Sequence, residues 1–69
     1  MNVPNVELAG CDAFLWREGN EYYCLVISEN TVYRVGSVAA FIQGFPRDRS
    51  LCIMNDETRQ AVRIPPIAN

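Results

Sequence analysis

Three widely spaced cysteines, Cys11, Cys24 and Cys52, are the first candidates for reactive or metal-binding side chains in this 69-residue sequence. They form no CxxC motif of the kind found in zinc or thiol–disulfide sites, and their odd number leaves one thiol unpaired in any disulfide scheme. The sequence has no histidine, so no Ser-His or Cys-His nucleophile pair exists within it. We therefore predict free thiols, with Cys24 and Cys52 buried on strands, no metal or other cofactor, and no enzymatic activity.

Two carboxylates, Glu18 and Glu21, flank the dipeptide Gly19-Asn20 between two alternating apolar runs. Paired carboxylates can act as general acid and base, but nothing apolar around a hairpin tip would raise the pKa of either one. The Gly-Asn dipeptide in this setting predicts a two-residue β-hairpin turn. We expect both carboxylates to lie exposed at its tip, where they can attract a basic partner surface.

Four aromatic residues, Trp16, Tyr22, Tyr23 and Tyr33, fall on neighbouring predicted strands. They can pack inside the domain or against another subunit, form a hot spot for a protein partner, or stack the bases of a single-stranded nucleic acid. The charge opposes the last interpretation, because six arginines and no lysine stand against eight carboxylates, for a net charge of −2.

Arginines provide the remaining candidate contacts. Arg47 and Arg49 lie in a predicted loop, and Arg59 and Arg63 lie on the outward face of the last predicted strand, where they can meet an anion or an acidic protein or simply be solvated. The predicted partner-binding residues therefore come from the first hairpin and the last strand: Trp16, Tyr22, Tyr23, Glu18, Glu21, Arg59 and Arg63.

Hydrophobic alternation predicts the elements that position these groups. The Gly19-Asn20 turn joins strands over residues 12–18 and 21–28, with Trp16 opposite Tyr23. A tight turn at Glu29-Asn30 then pairs Ile27 with Val32 and adds a third strand near residues 31–35. Both faces of this meander are apolar, so each face must be covered by something.

The next segment predicts a short helix. Ser37 is a good N-cap, and apolar residues recur at positions 38, 41, 42 and 45 on one helical stripe. Gly44 at the C′ position, with the apolar Phe45 behind it, predicts a Schellman-type ending, and Pro46 prevents continuation.

Two further strands, over residues 51–54 and 59–64, surround a predicted turn at residues 55–57. If a two-residue turn joins these strands, Leu51 lies opposite Val62, and Met54 lies on a half-solvated outer face. The prolines after Ile64 predict an extended tail, and residues 6–8 are a candidate extra strand.

We therefore expect one small domain over residues 1–69, mainly β with one helix (α+β). It should contain a five-stranded antiparallel sheet or partly open barrel, built from a three-strand meander, a short helix and a C-terminal hairpin. This element order resembles that of OB-fold barrels, and the resemblance is one of topology alone.

For function, we predict a non-enzymatic protein–protein interaction module, a small modulator or inhibitor of a host protein of the accessory type found in phages and plasmids. The alternative is an OB- or Sm-like domain that binds single-stranded nucleic acid. A homodimer is expected, because one helix and one hairpin leave apolar sheet surface uncovered. The absence of a secretory leader pattern or a long apolar run predicts a cytoplasmic protein that makes no membrane contact.

Overall fold

A computed structural model describes residues 3–64, which form one five-stranded sheet with a short α-helix. The strands are β1 (Ala13–Glu18), β2 (Glu21–Val26), β3 (Thr31–Val35), β4 (Leu51–Asn55) and β5 (Gln60–Arg63). The helix α1 is Val38–Gly44, and a 3₁₀ turn over Ile27–Glu29 precedes β3. The strand order across the sheet is β3-β2-β1-β4-β5, and the sheet does not close into a barrel. The predicted mainly β architecture is confirmed.

The first hairpin has the predicted turn and register. Trp16 lies opposite Tyr23, and Phe14 lies opposite Leu25. Gly19 has a φ of 65°, whereas Asn20 has no positive φ, which fits the type II′ turn that favours glycine at its first loop position. Local turn chemistry is therefore sufficient to fix this register.

The connection between β2 and β3 is longer than predicted. Residues Ile27–Glu29 form the 3₁₀ turn, and Asn30 follows in the left-handed region at φ 50°. Val32 consequently lies opposite Leu25, so the predicted pairing of Ile27 with Val32 is wrong. The shift amounts to two residues, and each β3 side chain keeps its predicted face because faces alternate with a period of two.

The sheet is mixed, and this corrects the expected antiparallel arrangement. β1 runs parallel to β4, with Ala13 beside Leu51 and Leu15 beside Ile53. A parallel neighbour requires a crossover connection, and the segment between β3 and β4, which contains α1, supplies it. The candidate extra strand at residues 6–8 does not form, since residues 3–12 contain no strand.

The helix begins as predicted and ends differently. Ser37 Oγ accepts a hydrogen bond from the Ala40 amide at 3.3 Å. At the other end the Phe45 amide donates to the Ile42 carbonyl at 3.2 Å. Gly44 has no positive φ, so the predicted Schellman ending is wrong. A tightened last turn followed by Pro46 ends the helix instead.

The second hairpin has a four-residue turn over residues 56–59. Asn55 Oδ1 accepts hydrogen bonds from the amides of Glu57 (2.9 Å) and Thr58 (3.2 Å) and so stabilises the turn. Arg59 lies in this turn at φ 59°, not on the predicted strand. Ile53 consequently lies opposite Val62, and the predicted pairing of Val62 with Leu51 is wrong.

The sheet has a core on each face. The helix face buries Ala13, Leu15, Cys24, Val35 and Leu51 beneath α1. The opposite face buries Phe14, Trp16, Cys52 and Met54, against which Val3, Val6 and Leu8 pack. We call residues 3–11 the N-terminal cover. The chain itself thus covers both apolar faces.

This N-terminal cover corrects two expectations. Met54 is 7 % exposed, so its side of the second hairpin is not the predicted half-solvated surface. The uncovered apolar faces that led us to expect a homodimer are also absent from residues 3–64. The homodimer itself stays a prediction, and it now needs a different surface.

The predicted tail over residues 64–67 lies almost wholly outside the described residues. Within them, the Ile64 amide donates to the Leu51 carbonyl at 2.8 Å, so the chain stays paired with β4 to that point. The single α-helix in residues 3–64 has seven residues and is much too short to span a membrane.

Candidate partner-binding surface

The two hairpin turns project from the same end of the sheet. Because β1 and β4 are parallel, their C-terminal residues, Glu18 and Asn55, lie at the same end of the sheet. The turn after each strand therefore extends in the same direction. An ion pair between Arg17 Nη2 and Asp56 Oδ2, at 3.2 Å, joins the first hairpin directly to the second turn.

We call this end the tip surface. Its four carboxylates and three guanidinium groups are all on exposed residues: Arg17, Glu18, Glu21, Arg34, Asp56, Glu57 and Arg59. Arg34 Nη1 lies 3.5 Å from Glu21 Oε2. Glu18 and Glu57 form no ion pair with any of residues 3–64, so no cation of that part of the chain lies within ion-pair distance of their charges.

The tip surface brings together three of the predicted site residues. Glu18 and Glu21 are direct cross-strand neighbours at the end of the first hairpin, and Arg59 lies in the second turn. Both carboxylates are exposed, as predicted, and no apolar group encloses them. The pair therefore resembles a charged contact surface and not an acid–base site.

Trp16 lies away from this surface. It is 1 % exposed, with Phe14 on one side at a centroid distance of 5.6 Å and Tyr23 on the other at 5.9 Å. Its Nε1 atom is buried and has no hydrogen-bond partner among the described residues. In this structure Trp16 belongs to the core, one of the roles that the sequence left open for the aromatic residues.

The tyrosines do not form one aromatic surface. Tyr22 packs with the helix-face core and Tyr23 with the core beneath the N-terminal cover, so they lie on opposite faces of β2. Tyr33 is 48 % exposed, and its phenol donates to Glu29 Oε1 at 2.6 Å. That hydrogen bond raises the pKa of Tyr33. Among residues 3–64 the tyrosines are thus divided between the two faces of the sheet and do not form one surface on which several bases could stack.

Arg63 lies at a second location, beside the N-terminal cover. Its Nη2 atom donates to Ser50 Oγ at 2.9 Å and to the Gly10 carbonyl at 3.5 Å. With Arg59 it lines a pocket of about 440 Å³ between the cover and β5. Arg63 therefore anchors the cover, a contact that the sequence pattern did not reveal.

Asp12 is a structural residue that sequence reasoning missed. Its Oδ2 atom accepts a hydrogen bond from the Ser50 amide at 2.6 Å, and its own amide donates to the Ser50 carbonyl at 2.8 Å. The Ile27 amide donates to the Asp12 carbonyl at 3.1 Å. The contacts with Ser50 span 38 residues of sequence, so no local pattern could have indicated them.

Comparisons of the chain with protein-family models, with curated proteins and with solved structures found no match.

Proposed function

We propose that this chain is a non-enzymatic protein–protein interaction module that contacts its partner through the tip surface. The observation that carries the proposal is the convergence of the two hairpin turns at one end of the sheet, joined by the Arg17–Asp56 ion pair. Their charged side chains stand on short, hydrogen-bonded turns. A rigid backbone lowers the entropy that binding would cost.

The charge of the tip surface favours a partner with a basic patch. The two carboxylates without an ion pair, Glu18 and Glu57, outnumber the one such guanidinium, that of Arg59. Complementary charge of this kind mainly accelerates association and selects between partners. A module that binds over a functional surface of its partner would act as a modulator or inhibitor. We propose this role for the chain, as a small accessory protein of the phage or plasmid type.

Charge reversal at the tip, matched with charge reversal at the far end, tests the proposal. The tip variant is Glu18→Arg with Glu21→Arg, and the control is Arg47→Glu with Arg49→Glu in the loop before β4. Each variant changes two exposed charges by the same magnitude. Neither should lower the melting temperature by more than a few degrees, because exposed charges contribute little to stability.

The partner is first captured from an extract of the source organism on the immobilised wild-type chain and then purified. Its association rate with each variant is measured by surface plasmon resonance. We expect the tip variant to lose about tenfold or more in association rate at low salt, and the control, which adds negative charge far from the tip, to associate at least as fast as the wild type. Equal rates for the two variants would refute the assignment of the tip surface.

Single-stranded nucleic acid provides the competing outcome. We expect no binding of single-stranded DNA or RNA oligonucleotides at physiological salt. Binding whose affinity falls steeply with salt concentration would overturn the proposal in favour of a nucleic-acid-binding domain, since phosphate contacts release counterions.

A further inference from the structure

Two of the three thiols lie together where the N-terminal cover meets β4. Cys52 is 5 % exposed in the core beneath the cover, and the half-buried Cys11 packs against that same core. Both line the 440 Å³ pocket. Cys24 belongs to the core on the other face of the sheet. The fold therefore pairs two thiols and isolates the third.

The Cys11 and Cys52 side chains share the wall of one pocket and one apolar core. Burial, followed by the neighbouring Cys52 thiol, raises the pKa of Cys11 to about 12. Asp12 beside it acts in the same direction, and Arg63 on β5 acts against it. Cys11 is therefore protonated at neutral pH, and its thiol reacts slowly until the cover opens locally.

We propose that Cys11 and Cys52 form an oxidisable pair, which a small anionic disulfide entering the pocket converts into a disulfide that fastens the N-terminal cover to β4. The pocket favours an anionic reagent, because two guanidinium groups, those of Arg59 and Arg63, line it against one carboxylate, that of Glu7, among residues 3–64. A guanidinium pair attracts the carboxylates of such a reagent and places its sulfur atoms near Cys11.

The reaction proceeds by two thiol–disulfide exchanges. Cys11 releases its proton to water, and its thiolate attacks one sulfur of the small disulfide, displacing a thiolate that takes up a proton. Cys52 then loses its proton and attacks the Cys11 sulfur of the mixed disulfide, displacing the second small thiol. The protein gives up two electrons and two protons, and the small disulfide gains both.

The disulfide would change how firmly the cover is held. It closes a long loop that contains β1, β2, β3 and α1, and long loops gain the most from a crosslink in the chain-entropy description. In the reduced protein, apolar packing by Val3, Val6 and Leu8 and the Arg63 contact hold the cover in place. Oxidation would therefore switch the cover from a releasable to a fixed state.

The experiment treats the full chain with mixtures of oxidised and reduced glutathione at mildly alkaline pH, traps free thiols by alkylation and maps the peptides by mass spectrometry. We expect one disulfide joining Cys11 to Cys52, with Cys24 alkylated only after unfolding. The oxidised form should melt more than about 5 °C higher than the reduced form. The variant Cys24→Ala should form the same disulfide, and Cys11→Ser should not.

A charge variant tests the role of the pocket. Arg59→Gln should slow oxidation by glutathione disulfide several-fold and leave the rate with the cationic disulfide cystamine unchanged or higher. Arg47→Gln, outside the pocket, should change neither rate.

Peptide mapping of the wild-type chain decides the outcome even if a variant fails to fold. The proposal is overturned if all three thiols stay free where a reference dithiol is oxidised, if the disulfide contains Cys24, or if Cys11 links two chains. It is also overturned if glutathione stays attached to Cys11, because Cys52 would then be out of reach.

Discussion

Arg17 Nη2 lies 3.2 Å from Asp56 Oδ2, and this ion pair joins the end of β1 to the turn between β4 and β5. The two residues are 39 positions apart in the sequence and meet because β1 and β4 run parallel. Both side chains remain about half exposed, at 52 % and 49 %. The pair therefore orders a surface more than it stabilises the core.

Neutralising this ion pair should have a small effect on stability. We expect Asp56→Asn to lower the free energy of unfolding by less than about 1 kcal/mol, because exposed ion pairs are screened by water and salt. Urea unfolding at low and high salt measures the effect, and a double-mutant cycle with Arg17→Gln isolates the pair. A loss above about 2 kcal/mol that persists in high salt would show that the contact is not an ordinary surface pair.

Gly19 and Gly44 should respond in opposite ways to the same substitution. Gly19 has a φ of 65°, where a Cβ is strained, so Gly19→Ala should cost about 1 kcal/mol. Gly44 is the last residue of α1 and has no positive φ, so Gly44→Ala should stabilise the protein by up to about 1 kcal/mol. A Cβ at either position meets no atom of the described residues within 4 Å.

Thermal unfolding of the two variants provides the check. Because packing differs little between them, backbone conformation alone should separate their melting temperatures. A destabilised Gly44→Ala variant would mean that the helix needs glycine at its end after all, as the sequence had suggested.

Sequence patterns correctly predicted structural features that depend on residues close together in the chain. The Gly19-Asn20 turn and the alternation around it were sufficient for the complete β1–β2 register, and Ser37 was sufficient for the start of α1. The turns at Asn30 and Arg59 were each predicted two residues too short, because non-glycine residues adopt a positive φ there.

Contacts between distant segments were not predictable in this way. The parallel pairing of β1 with β4 depends on where the chain returns after α1. In the N-terminal cover, Val6–Leu8 suggested only an extra strand, and nothing local showed that Val6 and Leu8 would pack on the core that contains Trp16. For the candidate site, the exposure of Glu18 and Glu21 followed from the turn, whereas the position of the second turn, with Arg59, at the same end of the sheet depends on the tertiary fold.

Because Trp16 lies in the core, substitutions of different size at this position should destabilise the protein to different extents. We expect Trp16→Ala to cost about 3–5 kcal/mol and to leave so small a domain largely unfolded. Trp16→Phe should change stability by no more than about 1 kcal/mol. It leaves a small cavity, but it also removes the buried Nε1–H group that has no partner among residues 3–64.

Urea unfolding followed by far-ultraviolet circular dichroism compares the Trp16 variants, since fluorescence is lost with the indole. If Trp16→Ala were as stable as the wild type, Trp16 would not be a core residue in solution. The surface role of the first hairpin would then have to include it.

The N-terminal cover should be necessary for the integrity of one sheet face. Leu8→Asp places a charge where an apolar side chain packs on the core beneath the cover, and we expect a lower melting temperature and binding of the dye ANS. Asn5→Asp adds the same charge at an exposed position of the cover and should behave like the wild type.

Light scattering adds a second measurement to the same pair of variants. If the cover shields an apolar face, Leu8→Asp should self-associate more than Asn5→Asp at equal concentration, because exposed apolar surface drives association. Equal masses and equal dye binding would contradict the assigned role of the cover.

The buried thiols predict a loss of stability at alkaline pH. Burial raises the pKa of Cys24 from 9.0 to about 11, and burial with the Cys52 contact raises that of Cys11 to about 12. A thiol whose pKa is higher in the folded than in the unfolded chain holds its proton more tightly when folded. Its stabilising contribution is therefore complete below about pH 9 and is lost as the pH rises through the folded pKa.

We expect the free energy of unfolding of the reduced protein to fall between pH 9 and pH 12, by up to about 1.4 kcal/mol per pH unit for the buried Cys24 and by less for the half-buried Cys11, because water screens its charge. Urea unfolding in the presence of reductant across this range measures the slope. Cys11→Ser should reduce the slope, because serine has no ionisation in this range. If the slope were the same in the wild type and in Cys11→Ser, the Cys11 thiol would be ionising equally in both states, and its burial against Cys52 would not persist in solution.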